Sequence, residues 1–227
     1  NWDTVLKTAI SDLEVDQREI SSKLYYIKYP IDGSSETITI ATTRPETMLG
    51  DTAVAVNSKD KRYKHLIGKN VILPIVERKI KIITDDYADP EQGTGAVKIT
   101  PAHDFNDYDV GQRNKLEIIN VFTEEGKIND NAPKDYIGLD RFEARKKILN
   151  ELKEKDFFVK EENIKNKVPY GDRSNSIIEP FLTEQWFADA KKLSIKAKKI
   201  VKNKKTNFFP ENWSKTYFQW MNNIEPW

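Results

Sequence analysis

Cysteine is missing from the 227 residues, and histidine occurs only twice, as His65 and His103. Disulfides and thiolate zinc sites are therefore excluded, and two distant histidines make no ligand pair, so no metal is expected. Long apolar runs are missing too; none approaches the roughly 18 residues of a membrane span. Nor does one charge dominate: 37 lysines and arginines face 36 aspartates and glutamates, for a net charge of +1. No global field draws such a chain onto a membrane or a nucleic acid, so a polyanionic partner has to be met by a local patch. No signal peptide, repeat or low-complexity segment is seen, and a cytoplasmic location is the default expectation. The chain opens on Asn1 and stops at Trp227 in a helix-like stretch, which reads as a piece of a longer polypeptide.

What is present suffices for a sizeable core, with 38% hydrophobic residues. The first two thirds read as short strands rich in Ile, Val, Thr and Tyr, at 23–29, 36–42, 70–75, 79–84 and 95–100, with turn signals between them. Such spacing predicts a mixed α/β (α+β) fold built on a strongly bent, barrel-like sheet with peripheral helices. Pro45 suits the first turn of a short helix, since its missing N–H costs nothing there. Asp104–Asn114 and Asp140–Lys155 read as further helices. In the latter, Asp140 is a cap, Glu143 is placed to reach back, and Ala144, Ile148 and Leu152 form the inner stripe. From about residue 165 the pattern becomes an extended arm or hairpin followed by two helices. The first, Asp189–Asn203, sets Leu193, Ala197, Ile200 and Val201 against a lysine-rich face. The second starts at Pro210 and aligns Trp213, Tyr217, Trp220, Met221 and Ile224.

Two stretches resist a purely architectural reading. Ala41–Asp51, ATTRPETMLGD, packs Thr42, Thr43 and Thr47 around Arg44 and a helix start. Gly93–Gly111, GTGAVKITPAHDFNDYDVG, puts Lys98 and Thr100 on one face of a strand, being two residues apart. Asp104 and Asp107 follow at the start of a helix, with Asp109 close by. Each feature has a plain explanation when taken alone. Asp104 and Asp107 serve as a cap and its first-turn partner, Lys98 as a solvated side chain, His103 as a turn residue, and the lysine-rich helix as a solvated face.

Taken together, in this order and at this spacing, the two stretches resemble the editing domain inserted in the class I aminoacyl-tRNA synthetases for valine, isoleucine and leucine. Lys98-x-Thr100-Pro-Ala-His-Asp resembles the valine-specific branch, as do NWDTVLKTAISDLEV at the start and PYGDRSNSIIEPFLTEQWF and PENWSKTYFQWM near the end. Asp109 stands where the family more often has Glu. The resemblance implies an incoming linker at 1–22, an editing domain at 23–164, and at 165–227 a return arm and helices leading back to the synthetic core. The His-x-Gly-His and Lys-Met-Ser-Lys-Ser signatures of adenylate formation are absent. ATP and magnesium are thus implied only for a full-length synthetase, with no cofactor for this part.

The implied activity is hydrolysis of threonine wrongly esterified to the 3′ end of valine tRNA. Threonine and valine are nearly isosteric, and an apolar pocket rejects an added hydroxyl by only about a hundredfold, a magnitude established for the valyl enzyme itself. A second pocket with hydroxyl partners makes the opposite choice. By the same resemblance, Lys98, Thr100, Asp104 and Asp107 are catalytic. Lys98 orients water or meets the oxyanion, Thr100 and Asp104 reach the threonine hydroxyl, and an ionised Asp107 holds the α-ammonium. Thr42, Thr43, Arg44, Thr47 and Asp109 are substrate-binding, with Arg44 directed at a tRNA phosphate or ribose. The alternatives left open are a non-catalytic module for the tRNA 3′ end, the editing domain of an isoleucine-type relative, and an insertion whose pocket has decayed.

Overall fold

The computed structural model describes residues 1–227, which divide into two units, Asn1–Leu182 and Thr183–Trp227. The first unit begins with two short strands, β1 (Trp2–Asp3) and β2 (Thr8–Ala9), paired to each other. Strands β3 (Val15–Pro30) and β4 (Thr37–Thr42) follow. A 3-10 helix over Pro45–Gly50 leads into β5 (Ala53–Val56), and β6 (Asn70–Ile72), β7 (Lys79–Thr84) and β8 (Ala96–Ile99) complete the middle of the unit. Helices α1 (Phe105–Asn114) and α2 (Arg141–Glu154) then precede β9 (Phe158–Gly171).

The larger strands form two sheets, ordered β4-β3-β9 and β6-β7-β5-β8. The mixed α/β expectation holds, but no barrel closes. On one side the sheets are joined by the single bridge Ile31–Val71. On the other, β8 is hydrogen-bonded only to β5, and Pro101 follows it without an N–H to extend the ladder. The β5–β7 pair is parallel. Residues 53–56 are wholly buried and read AVAV without polar alternation, which hides them from a period-2 search.

The main core lies between the two sheets and α2. Ile27, Tyr29, Ile38, Ile40, Val54, Ile82, Met48 and Leu49 pack there with Ala144, Ile148 and Leu152, the stripe expected on α2. Asp140 caps that helix through Phe142 N–H at 2.8 Å, while Glu143 pairs with Lys146 instead of reaching back. A smaller cluster of Ala53, Ala55, Ala88, Ile99 and Val110 seats α1 on the opposite face of the second sheet.

The expected divisions at 22/23 and 164/165 do not coincide with breaks in the chain path. Strand β3 runs unbroken across the first and β9 across the second, and the two pair antiparallel from Val15–Gly171 to Ile27–Phe158. Both strands are largely polar or charged and at best half-buried there, which gives them the sequence character of linkers. In the second unit, α3 (Ala190–Lys202) and α4 (Trp213–Asn222) pack together. Leu193 and Ile200 of α3 are exposed, and the buried position is Ser194.

Gly111 decides how closely α1 approaches the strand end that carries the site. A Cβ built there would meet Pro101 Cγ at 2.8 Å and Cβ at 3.0 Å. Alanine would gain roughly 1 kcal/mol of helix propensity, but a proline ring fixed in a turn has little room to give. Gly111→Ala is therefore expected to lower the melting temperature, measured by circular dichroism, whereas propensity alone would raise it.

Candidate active site

The threonine-rich turn and the end of β8 meet around Lys98. Its ammonium, nearly buried at 7% exposure, donates to Thr47 Oγ1 at 2.8 Å, Asp51 Oδ1 at 3.2 Å and Thr100 Oγ1 at 2.5 Å. Those three bonds use all three of its protons. Thr100 Oγ1 passes the chain on, donating to Asp51 Oδ1 at 2.6 Å, and Tyr29 OH donates to Asp51 Oδ2 at 2.7 Å. Burial pushes the Asp51 carboxyl up, and Lys98 with the two hydroxyls opposes the shift. All three partners approach as donors, the pattern of a carboxylate. Arg78 secures the turn from behind, donating to the carbonyls of Leu49 at 3.1 Å and Asp51 at 2.7 Å.

Asp107 lies beside this group, 5% exposed on the first turn of α1. Its Oδ2 accepts from Thr100 N–H at 2.8 Å, and its other oxygen has no partner in the protein. The sequence suggested that a helix N-terminus would keep this carboxylate ionised. Instead burial, aided by the negative charges of Asp104 and Asp51, outweighs Lys98 and the Thr100 N–H and lifts its pKa to about 7. Asp104 is the cap itself. It is exposed, and its Oδ1 accepts from Asn106 N–H at 2.8 Å and Asp107 N–H at 3.1 Å. Asp109 is exposed on α1, where its charge bears on Arg113.

Arg44 is directed inward. It reaches Glu46 Oε1 at 3.3 Å, the His103 carbonyl at 3.1 Å and the Glu179 carboxylate. Glu46 also takes both nitrogens of an Arg145 fork at 2.7 Å each. Burial would push the Glu46 carboxyl up, but Arg145 and Arg44 more than offset it. Arg141 Nε lies 3.1 Å from Glu179 Oε1, though its N–H is not aimed for a hydrogen bond. A tRNA phosphate would thus compete with two buried carboxylates for Arg44. The threonines divide their work: Thr42 Oγ1 accepts from Arg44 N–H at 3.0 Å, and Thr47 Oγ1 donates to the Arg44 carbonyl at 3.0 Å. Thr43, half-buried, is the one of the three whose hydroxyl is bonded to nothing in the protein. His103 is buried, with Nε2 accepting from Val121 N–H at 2.9 Å. Burial and the charges of Arg44 and Lys98 hold its imidazole well below the ordinary value, so it is neutral.

The family described as tRNA synthetases class I (I, L, M and V) matches residues 1–227. The chain belongs to this family. Valine--tRNA ligase of Pelagibacter ubique is 83% identical over 227 residues, all of this chain and 26% of that protein. The same ligase of Pseudothermotoga lettingae is 54% identical over 227 residues, covering 26% of its length, and that of Mesorhizobium japonicum 52% over 251 residues, covering 27%. The chain thus spans about a quarter of these relatives. Among solved structures, the Agrobacterium radiobacter K84 LeuRS in its ternary complex with tRNA and LeuAMS aligns with 68% of this chain and 21% of its own. The two share 20% identity, with a TM-score of 0.48. No helix is long and apolar enough to cross a membrane.

In this synthetase chain, the sequence brought Lys98, Thr100, Thr47 and Asp107 into view, and the structure gathers them. Asp51, Glu46, Glu179, Arg141 and Arg145 were missed. Asp51 closes the threonine-rich stretch, and Arg141 and Arg145 stand one helical turn apart, but no periodicity signals an ion pair such as Arg44–Glu179 across 135 positions.

The raised Asp107 pKa fixes the sign of a stability effect. Folding favours the neutral carboxyl, so its contribution is fully present below the ordinary value of 3.8 and is lost as pH rises through about 7. Asp107→Asn keeps an acceptor for Thr100 N–H and removes the buried charge. It is expected to stabilise the fold at pH 8 by on the order of 1–3 kcal/mol, at roughly 1.4 kcal/mol per pK unit, and by less at pH 5. Urea titrations at the two pH values measure this, and a destabilised variant at pH 8 would refute the assignment.

Proposed function

We propose that this chain is the post-transfer editing part of a valine–tRNA ligase, hydrolysing threonine from mischarged valine tRNA at the aminoacyl ester. The observation that carries the reading is the Lys98–Asp51–Thr100 constellation with a half-free Asp107 beside it: a fixed polar lining against which one carboxylate oxygen still lacks a partner. An α-ammonium supplies that partner. It also restores ionisation to Asp107, since an adjacent cation favours the charged form. The unbonded hydroxyl of Thr43 and the free oxygen of Asp104 are the polar groups left for the substrate hydroxyl and the terminal ribose. Valine would leave them facing a methyl group.

Lys98 works in this reading by holding other groups, since an oxyanion could take one of its protons only by displacing Thr47, Asp51 or Thr100. Its charge opposes the burial that pushes the Asp51 carboxyl up and draws Asp107 toward its ionised form. An aminoacyl ester is already activated, so water held in a fixed pose beside it suffices for hydrolysis without a covalent nucleophile. The tRNA 3′ end and the remainder of the ligase are the partners this function requires.

The test is deacylation of Thr-tRNA(Val) and Val-tRNA(Val) by the 227-residue chain and by Asp107→Asn. The parent is expected to release threonine and spare valine. Loss of one charge-assisted hydrogen bond, worth about 1.5–3 kcal/mol, should slow the variant roughly ten- to hundredfold while its fold is kept. Equal hydrolysis of both esters would reject the reading, and tight binding without hydrolysis would favour a non-catalytic module for the tRNA 3′ end.

A further inference from the structure

Glu179 occupies an unusual place. Its backbone pairs with Trp2 in both directions, Trp2 N–H to Glu179 O at 2.8 Å and Glu179 N–H to Trp2 O at 3.0 Å. It stands three residues before the end of the first unit at Leu182. The first strand of this unit and the segment near its end at Leu182 are thus hydrogen-bonded together at this residue. The side chain, 3% exposed, points the other way, onto the guanidinium of Arg44 and toward that of Arg141.

Arg44 is the hub of the threonine-rich turn. Its N–H is held by Thr42, its carbonyl by Thr47, and its guanidinium reaches the His103 carbonyl, one residue before the Asp104 cap. Thr47 in turn holds Lys98. A continuous series of contacts therefore runs from the Trp2–Glu179 pair to both stretches that build the site. Glu46 cannot replace Glu179 in this role, because its carboxylate is already shared with the fork of Arg145.

We propose that Glu179 is a positioning residue for the site, fixing Arg44 and with it the Thr42–Asp51 turn to the junction where β1 pairs with the last segment of the unit. The inference rests on the editing reading for its activity arm and on geometry alone for its structural arm. It makes the site responsive to that junction: a displacement of residues 177–179 reaches Thr47 and Lys98 through one guanidinium.

Glu179→Gln keeps the side-chain shape and removes the charge. Glu179→Asp keeps the charge and shortens the reach. Amide hydrogen exchange of the turn and Thr-tRNA(Val) deacylation by the 227-residue chain are measured for each. In Glu179→Gln the amides of residues 44–51 are expected to exchange roughly tenfold faster or more. Its kcat should fall roughly ten- to hundredfold, as for loss of a charge-assisted hydrogen bond, with KM little changed. Glu179→Asp should recover part of both. Parent-like exchange in the turn of Glu179→Gln overturns the proposal, as does an unchanged kcat accompanied only by a lower melting temperature. If the parent itself fails to deacylate, the editing reading falls and the exchange measurement alone decides the role of Glu179.

Discussion

The pairing of Lys98 with Asp51 is the constraint around which the site is organised. An ammonium and a carboxylate are both taken out of water between a sheet and a 3-10 turn, at a desolvation cost of several kcal/mol each. The pair persists because each charge is also hydrogen-bonded: Lys98 by two threonine hydroxyls, Asp51 by Thr100 and Tyr29. Those same bonds fix the rotamers of Thr47 and Thr100. What stabilises the buried charges therefore also fixes the lining of the pocket, and neither could be loosened without the other.

Around this pair the unit keeps its other charges in alternation. Arg145, Glu46, Arg44, Glu179 and Arg141 run from α2 through the threonine-rich turn and the segment at Glu179 back to α2. A chain with almost no net charge can still hold a strong local field, because cations and anions are sorted by depth as well as by number. Asp107 stands at the edge of this order. It has one backbone donor, a cation nearby and two other carboxylates working against it, and its carboxyl is lifted to about 7.

Much of this was legible in the sequence where the signal is local. The five expected strands all overlap observed ones, and Asp104, Asp140 and Asp189 each cap a helix as expected, while the helix at Pro45 is 3-10 and the last helix starts at Trp213 instead of Pro210 and ends before Ile224. The pairing of Lys98 with Thr100 followed from a two-residue spacing. Three things were not legible, each for a physical reason. Strand β5 is buried on both faces and has no alternation to read. The outer halves of β3 and β9 are solvated ribbon, so their composition resembles linker. The inward turn of Arg44 depends on Glu179, and an ion pair between distant positions leaves no mark on either neighbourhood.

The β3–β9 ribbon has a consequence for how the molecule is made. Residues 15–24 of β3 pair only with β9, and their partners span 162–171. A chain emerging from its N-terminal end holds that strand unpaired until nearly the whole first unit has followed. Loop closure over such a distance adds little to the final stability cost, because the penalty grows only logarithmically with length. It does delay the step, since contacts remote in sequence reward the chain only after the loop has closed. The waiting edge is studded with Arg18, Glu19 and Lys23, charges that discourage it from pairing with another copy in the interval.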